Sequence, residues 1–313
     1  VYNGIYYGNI SINISINLIG ENNNHTLIKD TLELNAIKII SNNVTVKGFT
    51  FQHNYLCIIM LNNMNNIIEN NIFINNYRSC IQLQHSHSNK IIRNRIENNN
   101  RYGIQIGNSN NNEIINNVIS NNIENGIIIF ESNNNNFSEN NIIGNNRCGF
   151  YSFKSHNMTL KGNTLNKNRD RAIHLGRSLN NTISYNTIKN NKFGIDIQHS
   201  INNNFFRNAI IKNRRYGIEL WNCSNQEINL NNIRNNLFGI YLIDSNRNNI
   251  YSNNIQKNIF CAYFINCNNN WTQNYWGRTR NFPKLILGKI KFGPIYIPWI
   301  NVDQNPAKEP YDI

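Results

Sequence analysis

The chain has 313 residues and a net charge of +13, yet charged residues make up only 15% of it, against ~25% in ordinary globular domains. Asparagine carries the polarity instead, with 76 Asn beside 54 Ile. No apolar run approaches the roughly 18 residues of a membrane-spanning helix, and so much β-branched isoleucine argues against the disorder that Asn-rich composition otherwise suggests.

In chain order, residues 1–35 read as an N-terminal strand and cap, because Ile10, Ile12, Ile14, Ile16 and Leu18 alternate up to Gly20. The opening at Val1 without a methionine fits a mature or excised form, and Asn9, Asn43 and Asn157 begin sequons compatible with secretion. Val44, Val46, Gly48, Phe49 and Phe51 mark a first coil, with Gly48 at the ladder position. From Cys57 the sequence repeats every 22–23 residues. A small residue opens each unit: Cys57, Cys80, Gly103, Gly126, Gly149, Ala172, Gly194, Gly217, Gly239 and Ala262. A serine column follows from Ser86 to Ser245, interrupted by Cys223. Two asparagine columns close each unit, one running from Asn70 and Asn94 to Asn274, the other from Asn75 and Asn99 to Asn258.

Each unit holds three short strands with period-2 alternation and Asn- or Gly-marked corners. Stacked coils of three strands make an all-β, three-sided parallel β-helix with Asn ladders. Roughly ten to twelve coils at ~4.8 Å give a rod about 50 Å long. The repeats span 36–276. After Trp276 the pattern stops, and 277–313 hold all five prolines. This segment reads as a C-terminal cap in which proline blocks strand addition.

The unit G-I-x-L-x-x-S-x-N-x-I-x-x-N-x-I-x-x-N resembles the NosD-type, pectin-lyase-like right-handed β-helix proteins, whose PbH1-type repeats are grouped with carbohydrate-binding proteins and sugar hydrolases. Asn274-Tyr275-Trp276-Gly277 resembles the close of archaeal cell-surface members. The resemblance covers about residues 36–277 and implies an extracytoplasmic, secreted or cell-surface location. The family's range of function is wide, from hydrolases, lyases and epimerases to binding proteins and a copper accessory protein.

Function is therefore sought outside the ladders. Enzymes of this fold work on the outer face of the first strand. Two positions past the small residue stand Ile59, Gln82, Gln105, Ile128, Tyr151, His174, Asp196, Glu219 and Tyr241, which alternation points to solvent. Two further on, Phe130, Phe153 and Trp221 join them. The aromatics Phe130, Tyr151, Phe153, Trp221 and Tyr241 suit sugar stacking. His174, Asp196 and Glu219 share one column, and carboxylates on adjacent rungs sit about 5 Å apart, the spacing of a retaining glycosidase. The same spacing arises for any two rung neighbours, and the Asp-rich, Gly-His-Gly and Asp-Pro-His patterns of related enzymes are absent from the sequence.

A basic column runs through Arg78, Arg101, Arg147, Lys192 and Arg215, interrupted by Glu124 and Asp170. Stacked like charges call for a negative partner. No nucleic-acid motif accompanies them, and neither the cysteine nor the histidine spacing suggests a metal site. The sequence thus reads as a β-helix that needs no cofactor and binds an acidic polysaccharide or cell-surface glycan, with Gln82 and Gln105 on the binding face. The alternatives are a glycoside hydrolase or polysaccharide lyase acting through His174, Asp196 and Glu219, a structural surface-layer or adhesion module, and a copper-accessory protein.

Overall fold

The computed structural model describes residues 1–29 and 34–313, and every regular element among them is a β-strand. The chain divides into two compact units, 1–159 and 160–313. Both are built from the same parallel coil, with about 12 turns in all.

One coil shows the construction. Ile104–Gly107 lies on a first face, Glu113–Ile115 on a second and Val118–Ser120 on a third. Each pairs in parallel with its counterpart one coil on, so that Ile104 meets Ile127, Ile114 meets Phe137 and Ile119 meets Ile142. Ile104, Ile106, Ile114 and Ile119 are fully buried. Stacked isoleucines fill the interior because β-branched side chains pack well on a pleated surface.

Four left-handed residues turn this coil: Asn108 (φ 48°), Asn111 (φ 58°), Asn116 (φ 57°) and Asn121 (φ 55°). Asparagine tolerates that conformation better than most residues with a Cβ. Each is followed at once by a buried stacking residue: Ser109, Asn112, Asn117 and Asn122. The backbone N–H of Asn94 and its Nδ2 both donate to Asn117 Oδ1, at 2.9 and 3.1 Å, and Nδ2 also donates to Ile68 O at 2.8 Å. The ladder therefore satisfies buried corner groups that no sheet could reach.

Turning and stacking thus fall to consecutive residues, which corrects the sequence reading by one position at three places. Gly48 (φ 80°), Asn70 (φ 52°) and Asn75 (φ 54°) turn the chain, whereas Asn71 and Asn76 stack and the backbone of Phe49 donates to Asn71 Oδ1 at 3.0 Å. A third ladder, unread in the sequence, runs through Asn66, Asn89, Asn112 and Asn135. The serine column is a ladder too, each backbone N–H donating to the next hydroxyl, as from Ser86 to Ser109 at 2.9 Å.

At the N-terminus the alternation from Ile10 to Leu18 is cut into two strands, Ile10–Ile12 and Asn17–Ile19, which with Gly4–Tyr7 and Thr26–Lys29 already make coil structure. Residues 30–33 of the expected cap lie outside the described residues. At the other end Lys284–Phe292 and Ile295–Asp303 form an antiparallel hairpin. Its first strand joins Phe260–Ile265 through the pairs Phe264–Gly288 and Ile265–Lys289. Asp303 is buried and closes a ladder, accepting from Asn274 N–H at 3.0 Å, Asn274 Nδ2 at 3.3 Å and the Trp276 indole at 2.9 Å. All six cysteines are free thiols.

Candidate functional site

In residues 160–313 the first strand of each coil has six residues: Arg171–Gly176, Phe193–Gln198, Tyr216–Trp221, Phe238–Ile243 and Phe260–Ile265. The inward residues Ile173, Ile195, Ile218 and Ile240 are fully buried. Two columns with outward side chains stand beside each other. One runs Arg171, Phe193, Tyr216, Phe238, Phe260, the other His174, Asp196, Glu219, Tyr241, Tyr263. Their register requires close approach at the small residue between them. A Cβ on Gly194 would lie 2.3 Å from Gly217 O, and one on Gly217 2.6 Å from Gly239 O. The structural equivalent of Gly239 is Cys261, one residue before the Ala262 that the repeat leads one to expect. Ala262 points inward with Ile240, and Tyr263 stands outward beside Tyr241.

The structure brings His174, Asp196 and Glu219 onto adjacent rungs as expected, but it does not leave them all in solvent. Asp196 is 0% exposed and His174 7%. His174 Nδ1 lies 2.9 Å from Asp196 Oδ2, Arg171 Nε donates to the same oxygen, and Gln198 Nε2 approaches both carboxylate oxygens at 3.3 Å. Burial works to raise the Asp196 pKa, but the hydrogen bond and charge of His174, then Arg171, outweigh it and hold the carboxyl below its ordinary value. A sealed, tied carboxylate cannot reach a sugar carbon. Of the expected carboxylate pair, Asp196 is thus enclosed by His174, Arg171 and Gln198.

Glu219 is different. It is only partly buried. Burial first, then the charge of Asp196, push its carboxyl up to about 7 against the pull of Arg171 and Arg215. Such a group is present in both protonation states near neutral pH and can give or take a proton.

Around Glu219 the aromatic rings form one connected surface. Tyr216 stacks on Tyr241 at 4.7 Å and 4°, Phe238 stacks on Phe260 at 4.7 Å, and Tyr241 lies 6.0 Å from Tyr263 at 10°. Phe193 meets Tyr216 at 5.5 Å, under the guanidinium of Arg171 and the ammonium of Lys192, both at 5.1 Å. Burial first, then Tyr216 and Glu219, push the Tyr241 phenol up to about 12. Of these rings the sequence reading had chosen only Tyr241. The signal it missed is that Phe193, Tyr216 and Phe238 immediately precede the small residues Gly194, Gly217 and Gly239.

The other predicted residues are scattered. Trp221 is exposed and lies 5.8 Å from His199. In residues 1–159, Phe130 and Tyr151 meet at 6.1 Å, Lys154 stands 5.7 Å from the Phe153 ring, and Ile128 is buried rather than solvent-facing. Gln105 accepts from Ser79 at 3.2 Å, and Gln82 pairs beside it in the same column. The basic column is partly neutralised. Arg147 pairs with Glu124 at 2.9 Å and Lys192 with Asp170 at 3.7 Å. Arg78 and Arg101 lie 4.5 and 5.1 Å from the rings of Tyr55 and Tyr102, and Arg215 lies 6.0 Å from Phe193. No cluster of three or more His, Cys, Asp or Glu suited to a metal occurs among the described residues.

This architecture has a recognisable class. The chain belongs to the right-handed β-helix family, whose region matches residues 1–142 and 125–275. The match is to the family as a whole, coarser than the NosD-type resemblance of the repeat. Among solved structures the chain is similar to PfbA, a surface adhesin of Streptococcus pneumoniae, with 14% identity over 98% of this chain and 91% of that one and a TM-score of 0.72. It is similar to the A-modules of two Azotobacter vinelandii mannuronan C-5 epimerases. For AlgE6 the identity is 13% over 99% of this chain and 90% of that one, with a TM-score of 0.71. For AlgE4 it is 14% over 98% and 90%, with a TM-score of 0.69. At such identities the likeness is one of fold. No curated protein matches the chain.

Proposed function

We propose that the protein binds polysaccharide outside the cytoplasm, on the first-strand face between Phe193 and Tyr263. The observation that carries this reading is the connected run of part-exposed rings Tyr216–Tyr241–Tyr263 with Phe238 and Phe260 beside it. Rigid aromatic rings repeated at the coil spacing offer a sugar polymer apolar contact area at low entropic cost. A net charge of +13 favours an acidic polymer. The adhesin and the epimerases among the structural neighbours support the choice of glycan and of location. A glycan array at low salt tests it: binding that falls at least tenfold in Tyr241→Ala supports the reading, and no binding to any glycan leaves a structural surface module in its place.

Glu219 favours a second reading, in which the bound polymer is also cleaved by a hydrolase or lyase reaction. Its carboxyl titrates near pH 7 beside the aromatic platform, as a general acid or base requires. Chromatography of the incubated polymer decides between binding and cleavage. Chain shortening that disappears in Glu219→Gln supports an enzyme, and an unchanged chain-length profile with the unaltered protein removes it.

A further inference from the structure

The aromatic face ends at a wedge. Strands Phe260–Ile265 and Lys284–Phe292 are in register at Phe264–Gly288 and Ile265–Lys289. Toward Phe260 they splay, and a cavity of about 290 Å³ opens between them. Its sides are Phe260, Tyr263, Trp276, Leu285 and Leu287, with Lys284 at one edge. Phe260 and Tyr263 are the last members of the two aromatic columns, so the cavity continues the platform. The hairpin strand stands across its end as a wall. The volume lies at the lower limit of the roughly 300–1,000 Å³ that enclose drug-sized ligands, which suits one sugar ring rather than a chain passing through.

The charge here is one-sided. The Lys284 ammonium is 5.8 Å from the Trp276 ring. Burial, then the charge of Arg280, lower its pKa against the pull of Cys261, with Arg278 adding to the lowering. Among the described residues no Asp or Glu forms an ion pair with Lys284, Arg278 or Arg280, and the buried Arg280 Nε has no hydrogen-bond acceptor. The Cys261 thiol in the same cavity is pushed up by burial. Lys284 is the one cation lining this apolar cavity, and a part-buried ammonium without an internal counter-ion is costly until an anion arrives.

We propose that this wedge is a terminal subsite that takes one uronic-acid residue at the end of the bound glycan, its ring against Phe260 and Tyr263 and its carboxylate on Lys284. The proposal rests on the glycan-binding reading and adds a polarity to it: the polymer is held with one end against the hairpin.

The test is calorimetric titration of the full chain, at low salt, with hexamers of galacturonate and mannuronate and with the neutral cellohexaose and maltohexaose. A uronate hexamer is expected to bind at least tenfold more tightly than either neutral hexamer. Lys284→Met should lower that affinity about tenfold, while Lys284→Arg stays within threefold of the parent. Leu287→Trp, a change at an exposed wall position that fills the wedge, should weaken the same hexamer without altering the thermal midpoint. Binding that depends on Tyr241 but is indifferent to both Lys284→Met and Leu287→Trp overturns the subsite and leaves the glycan-binding reading standing. Neutral hexamers bound as well as uronates overturn the subsite too. Failure of all four hexamers and of the glycan array removes the reading itself.

Discussion

Two stretches of the first face carry the same scaffold and different side chains. From Ile81 to Phe153 each first strand has four residues. The position before the small residue is mostly occluded there, with Ser79, Asn125 and Cys148 buried and only Tyr102 part-exposed. From Arg171 to Ile265 the strand has six residues, and the same position carries Arg171, Phe193, Tyr216, Phe238 and Phe260. One outward column allows contacts only between rungs. Two columns allow contacts within and between rungs, so a carboxylate can be held by His174 and Arg171 together, and Tyr216 can lie flat on Tyr241. Lengthening a strand by two residues thus converts a stack into a surface on which chemistry can be assembled.

The comparison can be broken at several places. The largest effect belongs to the scaffold. Asn117→Leu should cost about 3–5 kcal/mol in urea unfolding, because Asn94 N–H and Ile91 O lose their partner in the buried corner. Asp196→Asn should cost about 3 kcal/mol, since it strips the carboxylate from the buried His174 and one of the two from the half-buried Arg171, which keeps Asp170. A loss under ~1 kcal/mol would mean that the two columns do not act as one network. In glycan titrations Tyr241→Ala should lower affinity at least tenfold, whereas Phe130→Ala and Arg101→Ala, on the single-column stretch, should stay within threefold. Equal losses in all three would erase the distinction drawn between the stretches.

The smallest effect is one of pH. The folded pKa of Glu219, about 7, lies above the ~4.3 of an unperturbed glutamate. Between those values the folded state binds the extra proton, so this group's contribution to stability falls as pH rises through that window. Glu219→Gln should therefore gain in melting temperature on the parent as pH goes from 5 to 8 and show no gain at pH 4. A constant difference across that range would place the raised pKa elsewhere.

Much of the architecture is legible in the sequence, because a residue that stacks on its own counterpart must recur at the coil period. The small column, the serine column and the buried isoleucines all announce themselves this way. The ladder errors at Asn70 and Asn75 have one physical origin. Turning and stacking residues are consecutive, and in this chain both are often asparagine, as in Asn70-Asn71 and Asn75-Asn76. Only coils that place another residue at the turn, such as Arg93 before Asn94 or Lys167 before Asn168, resolve which is which. The candidate site was half legible. His174, Asp196, Glu219 and Tyr241 follow from the period, but the enclosure of Asp196 depends on Arg171 and Gln198 reaching sideways, which periodicity does not encode. The wedge at Lys284 lies beyond the repeats, where no column exists to read.

The ladder has a direction, and Asp303 gives that direction a consequence. A ladder asparagine in mid-column accepts from the coil before it and presents its own N–H and Nδ2 to the coil after it, as Asn253 does to Asn274 at 3.1 and 3.0 Å. Any asparagine placed last would leave donors facing outward, and the column would remain open to a further strand. Asp303 accepts from Asn274 and offers no side-chain amide of its own. It acts as a chain stopper does in polymer chemistry: a unit with one reactive end, which ends growth by being added.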